Sequence, residues 1–377
     1  MRRESNMQCK TCNLQPVNER KRLWLFYSLT GCRLHVLHCM FAFTFLALPA
    51  RADTIEPVPA NVQESVDRAI TWLAQNQTPE GTWPQGGSSK TAVPSLAAMA
   101  LLARGHVPGQ GPYGEILNNA IDFVLASQHD DGVLGGTAGN QIMYEHGIST
   151  VMLSEVFGMV DETRKEKISR ALAKSVKLIL DAQKPNGQPK PAPYTGGWRY
   201  SPISPDADLS VTGWQLMALR GAANCGAAVP KSALDAGLDY VKRSASPGGG
   251  FGYQPGQGPN QARTGTGILS MEMLGQHHSP EALKGGDFLL ASPPDNPGQE
   301  FYFYSVYYCA QALNQLGGKY WAEAYPKLRD ALLKQQDTKG HWPGGGGQEA
   351  EAGDAYRTSM AVLALCVPYR YLPLYQK

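Results

Sequence analysis

The chain has 377 residues, 42% hydrophobic and 18% charged, a composition that supports a large buried core and excludes a disordered or fibrous protein. The first 52 residues hold eight Lys and Arg against two Glu, so the formal charge of +2 becomes about −4 for the remainder. That remainder has no basic patch interleaved with aromatic residues, which excludes nucleic acid as a partner.

Residues 1–52 read as an export leader. Arg20, Lys21 and Arg22 form a charged n-region, Leu34 to Leu48 an interrupted apolar stretch, and Ala50-Arg51-Ala52 a small-x-small cleavage site. A membrane anchor from Leu23 to Leu48 is the alternative, but it places Arg33, His35 and His38 mid-span, where charge is costly. The lipobox-like Leu29-Thr30-Gly31-Cys32 is opposed by the apolar residues that follow it. The expectation is an exported protein, periplasmic or extracellular, with membrane association as the variant, and one domain over residues 53–377. Cys9, Cys12, Cys32 and Cys39 lie in the leader. Cys225, Cys309 and Cys366 remain, an odd and scattered set that builds no disulfide framework.

Beyond the leader, an amphipathic helix and an apolar helix alternate around glycine-rich turns. The first unit pairs Asp67–Trp83 with Val93–Gly105, and the second Asn118–Gly132 with His146–Gly158. The third pairs Ala171–Gly187 with Pro205–Ala222, across a proline-rich excursion that ends in Gly196-Gly197-Trp198. The fourth pairs Ser232–Tyr253 with Thr264–Gly275, the fifth Gly285–Ser292 with Tyr304–Gly318, and the sixth Leu328–Trp342 with Tyr356–Cys366. No run reads convincingly as a strand.

A helix apolar all round is buried, whereas a half-polar one turns a face to water, so twelve such helices predict two concentric layers. An open solenoid needs polar capping repeats. The last inner helix, Ser359 to Val367, is as apolar as the middle ones, which predicts an all-α closed barrel of six helix pairs, (α/α)6. Chain reversal then collects Glu145, His146, Asp206, Asp208, Arg263, Asp354, Tyr356 and Arg357 at one end. In the third unit, Asp206 and Asp208 precede an almost wholly apolar helix, with Ser210 and Thr212 as candidate caps.

Arg68-Ala69, Trp72-Leu73, Gln77, Gly81 and Trp83, and again Arg329, Leu332-Leu333, Gln336, Gly340 and Trp342, resemble the QW motif of the squalene–hopene cyclase and prenyltransferase superfamily. These residues read as structural: the glutamine ties one helix end to the next, and the tryptophan packs over the turn. The resemblance covers Asn61 to Leu374 and implies the terpenoid cyclase toroid. Class II cyclases of that superfamily carry a D-x-D-D motif whose middle aspartate protonates an alkene or epoxide. Asp206-Ala207-Asp208-Leu209 lies in the equivalent place. The resemblance therefore implies Asp208 as general acid and Asp206 as its partner, with Leu209 where the last aspartate is expected.

Protein prenyltransferases, the next relatives, bind zinc in a D-x-Y-H-T context. Here Asp354-Ala355-Tyr356-Arg357-Thr358 has Arg357 at the histidine position, and Cys309 follows Tyr307 where an aspartate is required. Cys225-Gly226-Ala227-Ala228 lacks the C-G-E-Q run of thioester domains, and Gly248–Gly250 and Gly344–Gly347 lack the Lys-Ser/Thr of a phosphate loop. No metal and no cofactor is expected. Candidate ligand contacts are Tyr144 and His146 at the head of the second inner helix, Trp214 on the third, and Tyr304 in the run Phe301–Tyr308. Tyr356 joins them, with Arg263 and Arg357 as a pair for an anionic group.

The leading expectation is proton-initiated cyclisation of a hydrophobic isoprenoid. A non-catalytic barrel that binds lipid or glycan, and a polysaccharide-active barrel, are the rivals. A closed aromatic cavity favours the first and an open polar groove the last.

Overall fold

Helices that alternate in character along the chain become two layers in space. The computed structural model describes residues 58–84, 90–136, 141–344 and 347–376. The expected export leader and cleavage site and four of the cysteines, together with part of the Gly344–Gly347 run, lie outside them. The helices are α1 (Ala60–Gln75), α2 (Ala92–Ala103), α3 (Gly114–Ala126), α4 (Ile142–Val156), α5 (Glu162–Gln183) and α6 (Leu209–Asn224). They continue with α7 (Lys231–Arg243), α8 (Gln261–Met273), α9 (Pro280–Ala291), α10 (Tyr302–Leu316), α11 (Gly318–Gln335) and α12 (Gly347–Leu365).

Even-numbered helices form the inner layer. Every residue of α2 is buried, whereas α7 buries one face through Ala233, Gly237, Leu238, Tyr240 and Val241. The inner helices pack in sequence, α2 on α4 and so on to α12, and α12 packs back on α2, so the ring is closed. Odd-numbered helices lie outside, as with α1 on α12 and α2, or α7 on α6 and α8. Small residues set the inner spacing. A β-carbon at Gly213 of α6 would stand 2.3 Å from the Thr266 side chain of α8, and one at Gly265 of α8 would stand 2.8 Å from the α10 backbone.

Glutamine side chains join successive units. Gln77 Nε2 donates to Ile116 O of α3 at 2.9 Å, Gln128 Nε2 to Ala171 O of α5 at 3.1 Å, and Gln183 Nε2 to Ala233 O of α7 at 3.0 Å. Gln336 closes the circle, donating to Ser65 O of α1 at 2.7 Å and to Gly340 O at 2.8 Å while accepting from the Ser65 hydroxyl and from Arg68. Trp83, Trp198 and Trp342 each donate from the indole to a carbonyl near the end of the preceding outer helix: Leu73, Ile179 and Leu332. Gly340 has φ +94° and a β-carbon there would lie 2.7 Å from Arg68 O, so only glycine lets this turn touch α1.

Several boundaries differ from the sequence reading. Helix α1 starts at Ala60 rather than Asp67, because its first turns already bury Val62 and Val66. Helix α12 starts at Gly347, with a break at Gly353 (φ +86°), ahead of the expected Tyr356. A two-residue antiparallel ladder pairs Phe251–Gly252 with Pro259–Asn260, where no strand was expected. Cys309 and Cys366 are buried free thiols, and Cys225 is half-buried and free. Among the described residues no helix is long and apolar enough to cross a membrane.

The two ends of the barrel differ. At the inner-helix C-termini, the chain end folds beneath the ring: Leu374 N donates to Glu155 Oε1 at 3.0 Å, Gln315 Nε2 donates to Tyr375 O at 3.0 Å, and the Tyr307 and Tyr375 hydroxyls bond to each other. The other end carries the outer-to-inner loops and the candidate site. Gln336→Ala removes bonds that only the closed ring makes and is expected to lower the free energy of unfolding by about 2 kcal/mol, measured by urea denaturation.

Candidate active site

Asp208 is the N-cap of α6. Its extended backbone (φ −136°, ψ 160°) lets Oδ1 accept from Val211 N at 2.9 Å, the role that the sequence reading gave to Ser210 and Thr212. Both of those lie inside the helix instead, and the Thr212 hydroxyl accepts from Trp198 N at 3.0 Å. Asp208 N donates to Trp198 O at 2.9 Å and Leu209 N to Tyr253 O at 2.9 Å, so backbone from two units clamps the segment. Leu209, at the position of the expected last aspartate, is buried in the apolar core.

The Asp208 side chain has no exposure, and its second oxygen, Oδ2, accepts no hydrogen bond. Arg199 Nε lies 3.7 Å from it, and the neighbouring Tyr253 hydroxyl favours the charged carboxylate. Burial pushes the carboxyl up to about 7, against the opposing pull of the Val211 N–H and Arg199. Arg199 fails to hold the carboxylate charged because it is shared: its guanidinium pairs with Asp206 and lies over the Tyr200 and Tyr253 rings, at 5.1 and 5.5 Å. Asp206 thus acts on Asp208 through Arg199. Lys190, also buried, donates from Nζ to Asp206 O at 2.9 Å, and burial lowers its ammonium to about 8.

Tyrosines surround this acid. The Tyr200 and Tyr253 hydroxyls bond to each other, Tyr144 packs on Tyr200 at 6.0 Å, and Arg263 lies over the Tyr253 ring at 5.0 Å. Tyr144, Tyr200, Tyr253, Tyr304 and Tyr356 are each half-buried, coming from five inner helices or the loops that lead into them. Burial, with the Asp208 charge as the next cause, holds the Tyr144 phenol well above its ordinary value, and burial raises Tyr304 to about 12. Trp214 is completely buried one layer below, stacked on Tyr307 at 5.8 Å.

Of the residues expected from sequence, Asp206, Asp208, Tyr144 and Arg263 meet around Arg199, Tyr200 and Tyr253, and Tyr304 adjoins them. Two expectations are corrected. His146 is not a ligand contact: Leu134 N donates to Nδ1 at 3.1 Å, Nε2 bonds Ser175 O at 3.2 Å, and burial lowers the imidazole to about 4, so it is a neutral strut toward α5. Arg357 is not half of an anion clamp. It is buried and spent on Trp342 O at 3.2 Å, Glu349 O at 2.6 Å and the Asp354 carboxylate. Glu145, beside His146, accepts from Lys90, Thr91 and Gly136 N–H groups and ties two loops together.

Arg199, Tyr200, Tyr253 and Lys190 were missed. A signal existed: Gly196-Gly197-Trp198-Arg199-Tyr200 and Gly249-Gly250-Phe251-Gly252-Tyr253 share a Gly-Gly-aromatic-x-Tyr pattern, and the two tyrosines that end it are the pair that meets. Among the described residues no group of His, Cys, Asp and Glu is placed to hold a metal, and Asp354 is tied to Arg357 and His341.

A buried carboxyl raised from its ordinary value near 4 binds its proton more tightly in the folded state, so it stabilises the fold at low pH. That contribution is lost as pH rises toward 7. Asp208→Asn keeps the cap without the charge. Its stability relative to wild type is expected to increase between pH 5 and pH 8, by up to about 3 kcal/mol, in urea titrations across that range.

The fold has known counterparts. A model of the prenyltransferase alpha-alpha toroid domain matches residues 92–292 and 299–373. The type II terpene cyclase MstE from Scytonema is similar in structure, with 15% sequence identity and a TM-score of 0.54 over 81% of this chain and 97% of the cyclase. A variant of that cyclase bound to its substrate, geranylgeranyl dihydroxybenzoate, gives a TM-score of 0.56 at 14% identity, over 83% and 98%. The GH76A alpha-1,6-mannanase of Salegentibacter sp. HEL1_6 gives 0.59 at 11% identity, over 82% and 99%. No curated protein matches in sequence. With its closed double ring of helices and a family match over most of its length, the chain belongs to the prenyltransferase alpha-alpha toroid family.

Proposed function

We propose that this toroid is a proton-initiated, class II type cyclase acting on an isoprenoid, with Asp208 as the general acid. One observation carries the reading: a fully buried carboxyl at the head of an inner helix, raised by burial to about 7 and surrounded by half-buried tyrosines. An acid is useful when its proton is present at working pH and its conjugate base is stabilised once the proton leaves. Burial supplies the first condition. The Val211 N–H, Arg199 and Tyr253 supply the second, since each favours the anion that forms. The faces of Tyr144, Tyr200, Tyr253, Tyr304 and Tyr356 suit a developing carbocation.

Asp206 is a positioning residue in this scheme, because it holds Arg199 away from full contact with Asp208. The likeness to a terpene cyclase supports the fold on which such chemistry runs, and the mannanase likeness leaves a polysaccharide-active barrel as the second reading. The tyrosine hydroxyls favour that second reading as far as they bind sugar. Export through the leader belongs to the proposal and rests on the sequence.

The test is incubation of the purified protein, wild type beside Asp208→Asn, with squalene and shorter polyprenyl substrates, the products being resolved by gas chromatography and mass spectrometry. Wild type is expected to release cyclised product, and the variant at least about 100-fold less. Equal product from both, or none from either, sinks the reading.

A further inference from the structure

The barrel end opposite the mouth is closed by a strap, residues 371–376, that follows the last inner helix. Arg370, with φ +55°, turns the chain back at the exposed Tyr371. Beyond it Leu372, Leu374 and Tyr375 are buried, the last two within a single 3-10 turn, Pro373–Tyr375. The strap touches three inner helices. Leu374 N donates to Glu155 Oε1 of α4 at 3.0 Å, and a β-carbon at Gly221 of α6 would stand 3.9 Å from the Leu374 side chain. Tyr375 O accepts from Gln315 Nε2 of α10 at 3.0 Å, and the Tyr375 hydroxyl bonds that of Tyr307.

Glu155 differs from the other groups in this contact. It is 3% exposed, its Oε1 holds the Leu374 N–H, and Oε2 has no hydrogen-bond partner among the described residues. The titratable groups that face it are Cys225 at the end of α6, Tyr307 of α10 and Tyr375 of the strap, and none of them is a cation. Burial raises the Cys225 thiol to about 11 and holds both phenols above their ordinary value, so all three stay neutral. Burial likewise raises Glu155 to about 8, against the pull of the Leu374 N–H. Within this group Glu155 alone changes charge between pH 5 and pH 8. A carboxylate with one donor and no cation is costly to keep in a dry site, and lifting the strap lets water reach it.

We propose that Glu155 is a pH-sensitive latch: its neutral carboxyl holds residues 371–376 against the barrel, and its ionisation releases them and opens the end of the ring opposite Asp208. The latch makes no use of the acid role of Asp208. The closed form holds the proton more tightly than the open one, where water surrounds the carboxyl and its ordinary value near 4.5 returns. The latch is therefore fully engaged below about pH 4.5. From there to about pH 8 the open fraction rises by up to about tenfold per pH unit, and above that it levels off. Opening is local, because α12 ahead of the strap stays packed on α2 and α10.

The experiment is hydrogen exchange of the full chain, read by mass spectrometry from pH 5 to pH 8 and corrected for the intrinsic pH dependence of exchange. Wild type is compared with Glu155→Gln and Tyr375→Phe. In wild type, protection of the peptide that carries Leu374 and Tyr375 is expected to fall at least about 100-fold over that range, with α4 at least about tenfold better protected at every pH. Glu155→Gln keeps an acceptor for Leu374 N and cannot ionise, so its strap is expected to change by less than about fivefold. Tyr375→Phe removes the bond to Tyr307 and is expected to lower protection about fivefold at every pH while keeping the slope. Equal wild-type protection at pH 5 and pH 8 overturns the proposal by itself, as does α4 protection no greater than that of the strap. A fall that persists in Glu155→Gln overturns it too, and so does a slope that vanishes in Tyr375→Phe, which keeps the test decisive if the glutamine variant does not fold.

Discussion

The closed ring depends on one side-chain contact used again and again: a glutamine at the end of an outer helix that donates to a carbonyl of the next outer helix. Gln336 reaches Ser65 O and adds a directed bond where the first and last units otherwise meet through apolar packing and ring contacts such as Trp72 on His341. That packing is strong but carries no direction. The hydrogen bond sets the angle between units, and the angle summed over six units determines whether the chain closes or spirals. In the fourth unit Ala245 stands at the glutamine position, and a backbone bridge between Ala245 and Phe251 holds the turn there.

Closure is what makes a site. Loops from different units are brought to a common mouth, while the chain end seals the opposite face through Glu155, Gln315 and Tyr307. A deep environment at one end of a sealed barrel gives a single carboxylate the desolvation that an exposed helix cap never has. At Asp208 the competing effects are burial, which favours the neutral acid, and the Val211 N–H with Arg199, which favour the anion. Burial wins because the guanidinium is already committed to Asp206 and sits 3.7 Å from the Asp208 oxygen, too far for a hydrogen bond. The same architecture explains why fold and function separate here. Toroids of similar shape serve a terpene cyclase and a mannanase, at 15% and 11% identity to this chain. Helix packing is shared among them, so the fold by itself does not choose the chemistry.

The sequence by itself determined the two layers, the number of helix pairs, the burial of the inner helices and the place of Asp206 and Asp208 before α6. Those features are local: they follow from a 3.6-residue apolar period and from turn residues within one unit. Tertiary structure alone decided the company that these residues keep. Arg199, Tyr200 and Tyr253 come from two different units, and their grouping around Asp208 depends on how those units are set side by side. His146 and Arg357 show the converse, since residue type and position suggested a rim that burial and internal hydrogen bonds then denied them. A titratable group acquires its proton affinity from neighbours in space, and neighbours contributed by loops of different units leave no helical period for a reader of the sequence to find.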